Sequence, residues 1–149
     1  MKTLIIRHRR ENRKKCTLTP LEKRSDFTFL PYPNTPAFDP TNCVLLDFEG
    51  PLLSKREAKK TLVVIDSLWR YVPKIKAILP KMHSCSLPAF KTAYPRKQED
   101  CLDPTRGMAS IEAIFVAYTL LGWDTTGLLD HYHFREEFLK NNFEHGKEN

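Results

Sequence analysis

The chain has 149 residues, of which 41% are hydrophobic, and this size and composition are typical of one compact globular domain. No apolar run approaches the roughly 18 residues of a membrane-spanning helix, so we predict a cytoplasmic protein. Four widely spaced cysteines without a C-x-x-C pair indicate neither a zinc knuckle nor a disulfide framework.

Positive charge is concentrated near the N-terminus. Residues 1–24 contain nine Lys/Arg and two Glu, a net charge of +7, whereas the whole chain carries +6. Such a local basic segment attracts phosphate and is typical of nucleic-acid binders, although a solvated segment would have the same composition. The residues we expect to contact RNA are Arg7, Arg9, Arg10, Arg13, Lys14 and Lys15.

The first half of the chain contains three apolar runs that predict strands. They are "TLIIR" (residues 3–7), "CVLLDF" (43–48) and "LVVI" (62–65), and the last, apolar throughout, indicates a central parallel strand. A helical turn is expected around Pro20 and a short capped helix after Ser54. Five prolines between residues 31 and 51 predict a structured loop, and 27–42 reads as a linker.

The second half favours helices. A helix is expected after Pro73, a strand over 89–94, a core helix over 109–121 that ends at Gly122, and a last helix over about 126–142. Strand and helix signals therefore alternate, which predicts a small α/β domain with a mainly parallel sheet flanked by helices.

Several common site types lack support in this sequence. There is no G-x-G-x-x-G and no G-K-[ST], so dinucleotide and P-loop sites have no phosphate-binding turn. His131 and His133 lie two residues apart, where a helix would point them in different directions, so no metal site is expected. Asp66 is a candidate binding residue, because it follows the predicted strand over 62–65 and ligands of parallel sheets bind beyond the carboxyl ends of strands.

Three separated elements resemble the small-subunit rRNA aminocarboxypropyltransferases. "RKKCTLTPLEKR" resembles that family's "PKKCTGKKL", "LLSKREAKKTLVVIDSLW" resembles "VLSPADR…GLAVVDCSW", and "MASIEAIFVAYTLLG" resembles "LSCVEALAAALYI.G". The related DTW-domain tRNA-uridine aminocarboxypropyltransferases share the strand–Asp–x–x–Trp element and the S-x-x-E-A helix start. One segment differs from the rRNA family: "TAYPRKQEDCLDPTRG" replaces "NPVNYGRP" and is closer in spacing to the DTW group.

The resemblance implies a SPOUT-like fold, for which a knotted backbone is one option, and S-adenosylmethionine as donor. The residues expected to bind this cofactor are Thr17, Leu45, Leu46, Asp66, Trp69, Val72 and Ser110. Asp66 would bind the ribose hydroxyls and Trp69 the sulfonium end, which an indole face stabilises by about 0.5–2 kcal/mol. A helix N-cap for Asp66 and core packing for Trp69 are the structural alternatives.

The remaining roles follow from the same resemblance. Trp69 and Val72 are expected to bury the methyl group, and Leu45 and Leu46 to flank adenine. Thr17, Ser110 and the start of the 109–121 helix suit the methionine amino and carboxylate groups. Ser110 could also be only a cap, and a first-turn dipole partner is the favoured role of Glu112.

The sequence thus predicts transfer of a 3-amino-3-carboxypropyl group to N3 of a uridine or pseudouridine in structured RNA, most readily rRNA during ribosome biogenesis. A tRNA-modifying enzyme of the DTW type, a methyltransferase of the SPOUT class and a non-catalytic RNA-binding assembly factor are the alternatives. Positioning, more than a particular base, would select the carbon that is attacked. No catalytic base is assigned.

Overall fold

The computed structural model describes residues 2–9, 17–94 and 107–143, and in these residues the chain forms one parallel sheet. The strands are β1 (Thr3–His8), β2 (Phe27–Tyr32), β3 (Cys43–Leu46), β4 (Thr61–Asp66) and β5 (His83–Cys85). Their order is β2-β1-β4-β3-β5, and every neighbouring pair is parallel. The predicted fold class, a small α/β domain with a parallel sheet flanked by helices, is confirmed.

Strand β4 occupies the centre of this sheet, as its composition predicts. Leu62 and Val63 have no exposed surface, and Val64 is 5% exposed. Burial on both faces is the reason that this strand is apolar throughout rather than alternating. Arg7 of β1 pairs in register with Asp66, so the two strands end side by side.

Helices cover both faces of the sheet. They are α1 (Val72–Ile78), α2 (Ser110–Leu121) and α3 (Arg135–Phe143). Buried residues of α2 and α3 pack with alternate strand residues such as Ile5 and Val44, whereas Ile75 of α1 packs with Ile6 and Leu45 on the opposite face. Among the described residues, no helix combines the length and the apolar composition that crossing a membrane would require.

The predicted helix boundaries in the middle of the chain agree with the structure. Gly122 ends α2 in the left-handed conformation with φ 76°, which glycine adopts without a Cβ penalty. Ser54 and Glu57 form a reciprocal capping box at a 3-10 segment over Lys55–Glu57. A second 3-10 segment, Thr19–Lys23, contains Pro20, and Pro73 lies in the first turn of α1.

Two strands were absent from the sequence prediction. Residues 27–32, read as the start of a linker and a proline-rich loop, form the edge strand β2. An edge strand tolerates Pro31, because a proline without an N–H disrupts no interior hydrogen bond. Strand β5 covers three residues, which is too short for an alternating pattern to be visible.

Two predicted elements are wrong in kind or extent. Residues 89–94 were predicted as a strand, but they have no strand partner. Their backbone donors bind side chains instead: Lys91 N–H donates to Asn142 (2.7 Å) and Ala93 N–H to Glu112 (2.9 Å). The last helix begins at Arg135 rather than near 126, after a series of turns that includes Gly127 at φ 82°.

Candidate functional site

A cleft of about 490 Å³ lies beyond the carboxyl ends of β3 and β4, beside the start of α2. This is the position at which parallel sheets of α/β proteins bind ligands. Most of the lining side chains are apolar, with a few polar and charged groups, as in typical small-molecule sites. The lining residues are Leu46, Asp47, Phe48, Val64, Ile65, Ser67, Trp69, Val72, Pro73, Lys76, Ala77, Leu87, Met108, Ser110 and Ala113.

An aromatic pair forms part of this lining. The rings of Phe48 and Trp69 are stacked with centroids 5.3 Å apart and planes 24° from parallel. Phe48 follows β3 and Trp69 follows β4, so the pair bridges the two loops that leave neighbouring strands. The indole thus contributes to the cleft wall and is held in place by a second ring.

A charged pair lies on the same side of the cleft. The ammonium of Lys76 is 2.6 Å from Oδ2 of Asp47, and Oδ1 of Asp47 accepts a hydrogen bond from Phe48 N–H (2.7 Å). The Lys76 side chain is 35% exposed, so solvent screens the pair and it adds at most about 1 kcal/mol to stability. It does place both signs of charge at an otherwise apolar site.

Asp66 lies behind the cleft wall in a buried hydrogen-bond network. Its Oδ1 accepts a hydrogen bond from the Ser110 hydroxyl (3.0 Å), and its Oδ2 is 3.4 Å from Nε of Arg7. The side chain of Asp66 is only 5% exposed. The carboxylate thus ties the end of β4 to β1 and to the first residue of α2.

Arg7 lies in the interior, unlike the surface cation expected of a phosphate ligand. Its side chain is 10% exposed, pairs with Glu22 at 3.2 Å as well as with Asp66, and lies 4.3 Å from the ring centroid of Phe29. Arg7 is thus buried and paired with carboxylates, and its contact with RNA stays a prediction. A buried guanidinium needs partners, and these two carboxylates supply them.

Two serine hydroxyls flank Asp66 and line the cleft. Ser110 donates to Asp66, but the Ser67 hydroxyl is buried and has no hydrogen-bond partner in the described part of the chain. A buried hydroxyl without a partner costs about 1–3 kcal/mol. A polar ligand in the cleft could offset this cost, which makes Ser67 a candidate binding residue.

Glu112 has a structural role larger than the expected dipole partner. It is fully buried, and its oxygens accept hydrogen bonds from the hydroxyls of Thr92 (2.5 Å) and Tyr132 (2.8 Å). They also accept from Ala93 N–H and Ala109 N–H, each at 2.9 Å. Burial, with the nearby charge of Glu112, raises the pKa of Tyr132, so its hydroxyl remains a donor at neutral pH.

The predicted cofactor residues separate into two groups. Leu46, Trp69, Val72 and Ser110 line the cleft, and Asp66 contacts Ser110 directly behind it. Leu45 does not line the cleft, because successive residues of β3 face opposite sides of the sheet and Leu45 packs with Val63 and Ile75 on the α1 face. Thr17 is also absent from the lining.

The predicted RNA-binding residues lie mostly outside the described part of the chain. Arg9 is exposed directly after β1. Arg10, Arg13, Lys14 and Lys15 fall outside the described residues, so their expected contact with RNA stays a prediction.

Sequence reasoning missed several cleft residues, one of them with a clear signal. Asp47 directly follows β3, and Asp66 is the last residue of β4, so the same argument from strand ends would have found Asp47. Lys76 shares a face of α1 with Val72, four residues earlier, and could have been found from helical spacing. Leu87 and Met108 had no comparable signal.

Comparison with known proteins gives a likeness in fold. No protein family model matches the chain, and no curated protein sequence does. Among solved structures, the chain is similar to the SAM-dependent rRNA:acp-transferase Tsr3 from Vulcanisaeta distributa, with a TM-score of 0.73 and 16% sequence identity. The match covers 93% of this chain and 77% of that chain, so the likeness extends over nearly the whole domain.

Proposed function

We propose that this chain transfers the 3-amino-3-carboxypropyl group of S-adenosylmethionine to rRNA. The observation that carries the proposal is the position of the cleft. Residues of two of the three sequence elements that resemble the rRNA aminocarboxypropyltransferases, among them Ser67, Trp69 and Ser110, line it. The similar solved structure, described as a SAM-dependent rRNA:acp-transferase, supports the same activity.

The residues of the cleft fit this cofactor. The Phe48–Trp69 pair offers an aromatic face for the sulfonium cation, since a cation near an indole gains about 0.5–2 kcal/mol. Asp47 and Lys76 carry the charges that complement the α-amino and α-carboxylate groups of methionine. The Ser67 hydroxyl offers an unused donor and acceptor.

The ribose role predicted for Asp66 is kept as a proposal. Its carboxylate accepts a hydrogen bond from the cleft residue Ser110, and Asp66 lies at the carboxyl end of the central strand, directly before the cleft residue Ser67 in sequence. Binding a ribose hydroxyl there would require Asp66 to share an oxygen with Ser110 or Arg7.

The cofactor supplies a sulfonium whose bonded carbons are all electrophilic. Trp69 and Val72 line the cleft, and we propose that they enclose the methyl group, with Pro73 and Ala77 as apolar neighbours. Apolar walls exclude water, and orientation selects the aminocarboxypropyl carbon for attack. The chain's contribution is alignment, and N3 of a uridine or pseudouridine, which carries a removable proton, is the proposed nucleophile.

The RNA partner is proposed from charge. Residues 1–24 carry a net charge of +7, and exposed Arg9 follows β1, which ends beside the cleft-forming strand β4. A concentrated basic segment would attract the RNA backbone. Ribosome maturation in the cytoplasm is the proposed setting, with no membrane partner.

Cofactor binding is the first expected result. A Trp123→Phe variant leaves Trp69 as the single indole, and we expect S-adenosylmethionine to quench its fluorescence with a dissociation constant of order micromolar, about −8 kcal/mol. Trp69→Ala should weaken binding by about 10-fold, the loss of roughly 1–2 kcal/mol of ring contact. Calorimetry measures the affinity of this variant, with Trp123→Phe as its matched control.

The reaction itself is tested with two labels. Cofactor labelled in the carboxyl group should transfer label to small-subunit rRNA, whereas methyl label should leave as methylthioadenosine. Methyl label in the RNA would establish a methyltransferase instead. Transfer to tRNA alone would identify the DTW-type activity, and absence of transfer with intact cofactor binding would favour an assembly factor.

A further inference from the structure

A second group of chemically reactive side chains lies outside the cleft. Glu57, His83 and Cys85 each place one potential ligand atom within 4.8 Å of the other two. Sγ of Cys85 and Nε2 of His83 are 3.4 Å apart. Two ligands of a tetrahedral zinc ion, with bonds of about 2.3 Å to sulfur and 2.0 Å to nitrogen, are separated by about 3.5 Å.

We propose that Glu57, His83 and Cys85 form a binding site for a divalent transition metal, with Zn²⁺ as the favoured ion. A thiolate, an imidazole and a carboxylate are all ligands that zinc accepts, and the thiolate disfavours Mg²⁺ and Ca²⁺. His83 is exposed, so the ion can enter from solvent, and water would complete its coordination.

The backbone already holds the three side chains in place. His83 and Cys85 are alternate residues of β5 and project from the same face of the strand. Glu57 is fixed by its capping box, in which it accepts Ser54 N–H at 3.0 Å. The loop before this capping box is bonded to the end of β5, through Ser86 N–H to Pro51 O (2.8 Å) and Leu53 N–H to Ser86 O (2.9 Å).

A metal explains this group better than a reactive thiol does. Cys85 is buried, which limits attack by its thiol on an external substrate, whereas the ligand atoms of Glu57 and His83 lie within 4.8 Å of its sulfur. A bound cation would deprotonate the thiol outright. The metal would clamp edge strand β5 to the segment over 54–57, close to Leu87 of the cleft wall.

The test uses a full chain in which Cys16, Cys43 and Cys101 are replaced by serine, so that Cys85 is its single thiol. After treatment with a chelator, titration with Co²⁺ should give thiolate-to-cobalt absorption that saturates at one equivalent, and Zn²⁺ should displace it. His83→Ala and Glu57→Gln should each weaken binding at least about 10-fold, since even loss of an outer-shell partner costs 10–100-fold. Glu57→Gln keeps an acceptor for the capping box.

The matched control is a chain with Cys43 as its single thiol, because Cys43 is also buried in a strand. It should show no cobalt–thiolate absorption. Zn²⁺ should also raise the melting temperature of the wild-type chain by several degrees and leave Cys85→Ser unchanged, a comparison that needs no multiple variant. Folded protein without the cobalt signal, or a signal insensitive to His83→Ala and Glu57→Gln, would overturn the proposal.

Discussion

Replacing Glu112 with alanine should lower the free energy of unfolding by at least about 4 kcal/mol. The substitution removes the acceptor of four donors, the hydroxyls of Thr92 and Tyr132 and the amides of Ala93 and Ala109. The Tyr132 hydroxyl and the Ala109 amide would be left buried without a partner, at about 1–3 kcal/mol each, and the half-buried donors of Thr92 and Ala93 would add smaller costs, so the total is a large part of the 5–15 kcal/mol stability of a typical domain. Urea denaturation followed by circular dichroism measures the loss.

Two further variants make the prediction specific. Glu112→Gln keeps one acceptor oxygen and should cost less than Glu112→Ala. Glu136→Ala also removes a first-turn acidic residue, but Glu136 is exposed at the start of α3, and only a dipole contribution of about 0.3–1 kcal/mol is at stake. Equal effects at positions 112 and 136 would show that the buried network contributes little.

Asp66→Ala should cost about 3 kcal/mol of stability, the second largest effect that we expect. Removing one partner of a buried ion pair leaves the other charge uncompensated, at a typical cost of 3–5 kcal/mol. We expect the lower end of this range, because the Arg7 guanidinium would still pair with the Glu22 carboxylate at 3.2 Å. Combining Asp66→Ala with Arg7→Met should recover part of the loss, because the double variant contains no uncompensated guanidinium.

An exposed Arg–Asp ion pair serves as the control for the buried Arg7–Asp66 pair. Arg135 and Asp130 are 3.7 Å apart, with side chains 48% and 63% exposed. Solvent screening limits such pairs to about 0–1 kcal/mol, so Arg135→Ala should leave the urea midpoint nearly unchanged. If Arg7→Met with Asp66→Ala were no more stable than Asp66→Ala alone, the two side chains would not be energetically coupled.

The sheet centre and the core helix could be predicted because local sequence and tertiary environment agree there. Apolar residues of β4 are buried on both faces, and α2 ends at a glycine with positive φ. Strand β2 could not be predicted in the same way. Pro31 argues against a strand in general, and only its position at the sheet edge, which sequence alone does not reveal, makes it compatible.

The strand predicted over residues 89–94 is absent for a related reason. Its composition is compatible with a strand, yet a strand exists only where a partner backbone is available. In this protein the side chains of Glu112 and Asn142 accept its backbone donors instead. These acceptors are 19 and 51 residues away in sequence, beyond the reach of any local pattern.

In the candidate site, too, local sequence indicates some residues correctly, whereas the placement of others depends on the tertiary structure. Trp69, Val72 and Ser110, which the resemblance implied, line the cleft because they follow a central strand or begin the core helix. Leu45 was predicted together with Leu46, but Leu45 packs with the core on the α1 face of the sheet, whereas Leu46 packs with the core on the opposite face. Arg7 was counted with the basic segment because charge composition does not show which cations are buried.

The proline in β2 also bears on how the molecule resists self-association. Tyr32 carbonyl accepts Arg9 N–H of the chain leaving β1, so the polar groups of Tyr32 point inward and those of Phe27, Phe29 and Pro31 point away from the sheet. Phe27 N–H is bound to Arg24 O, and Pro31 has no N–H while its carbonyl accepts the Thr35 hydroxyl at 2.6 Å. Two of these three outward positions therefore offer no amide donor to an added strand. An aromatic-rich edge that could otherwise template intermolecular β-pairing is protected against it by Pro31.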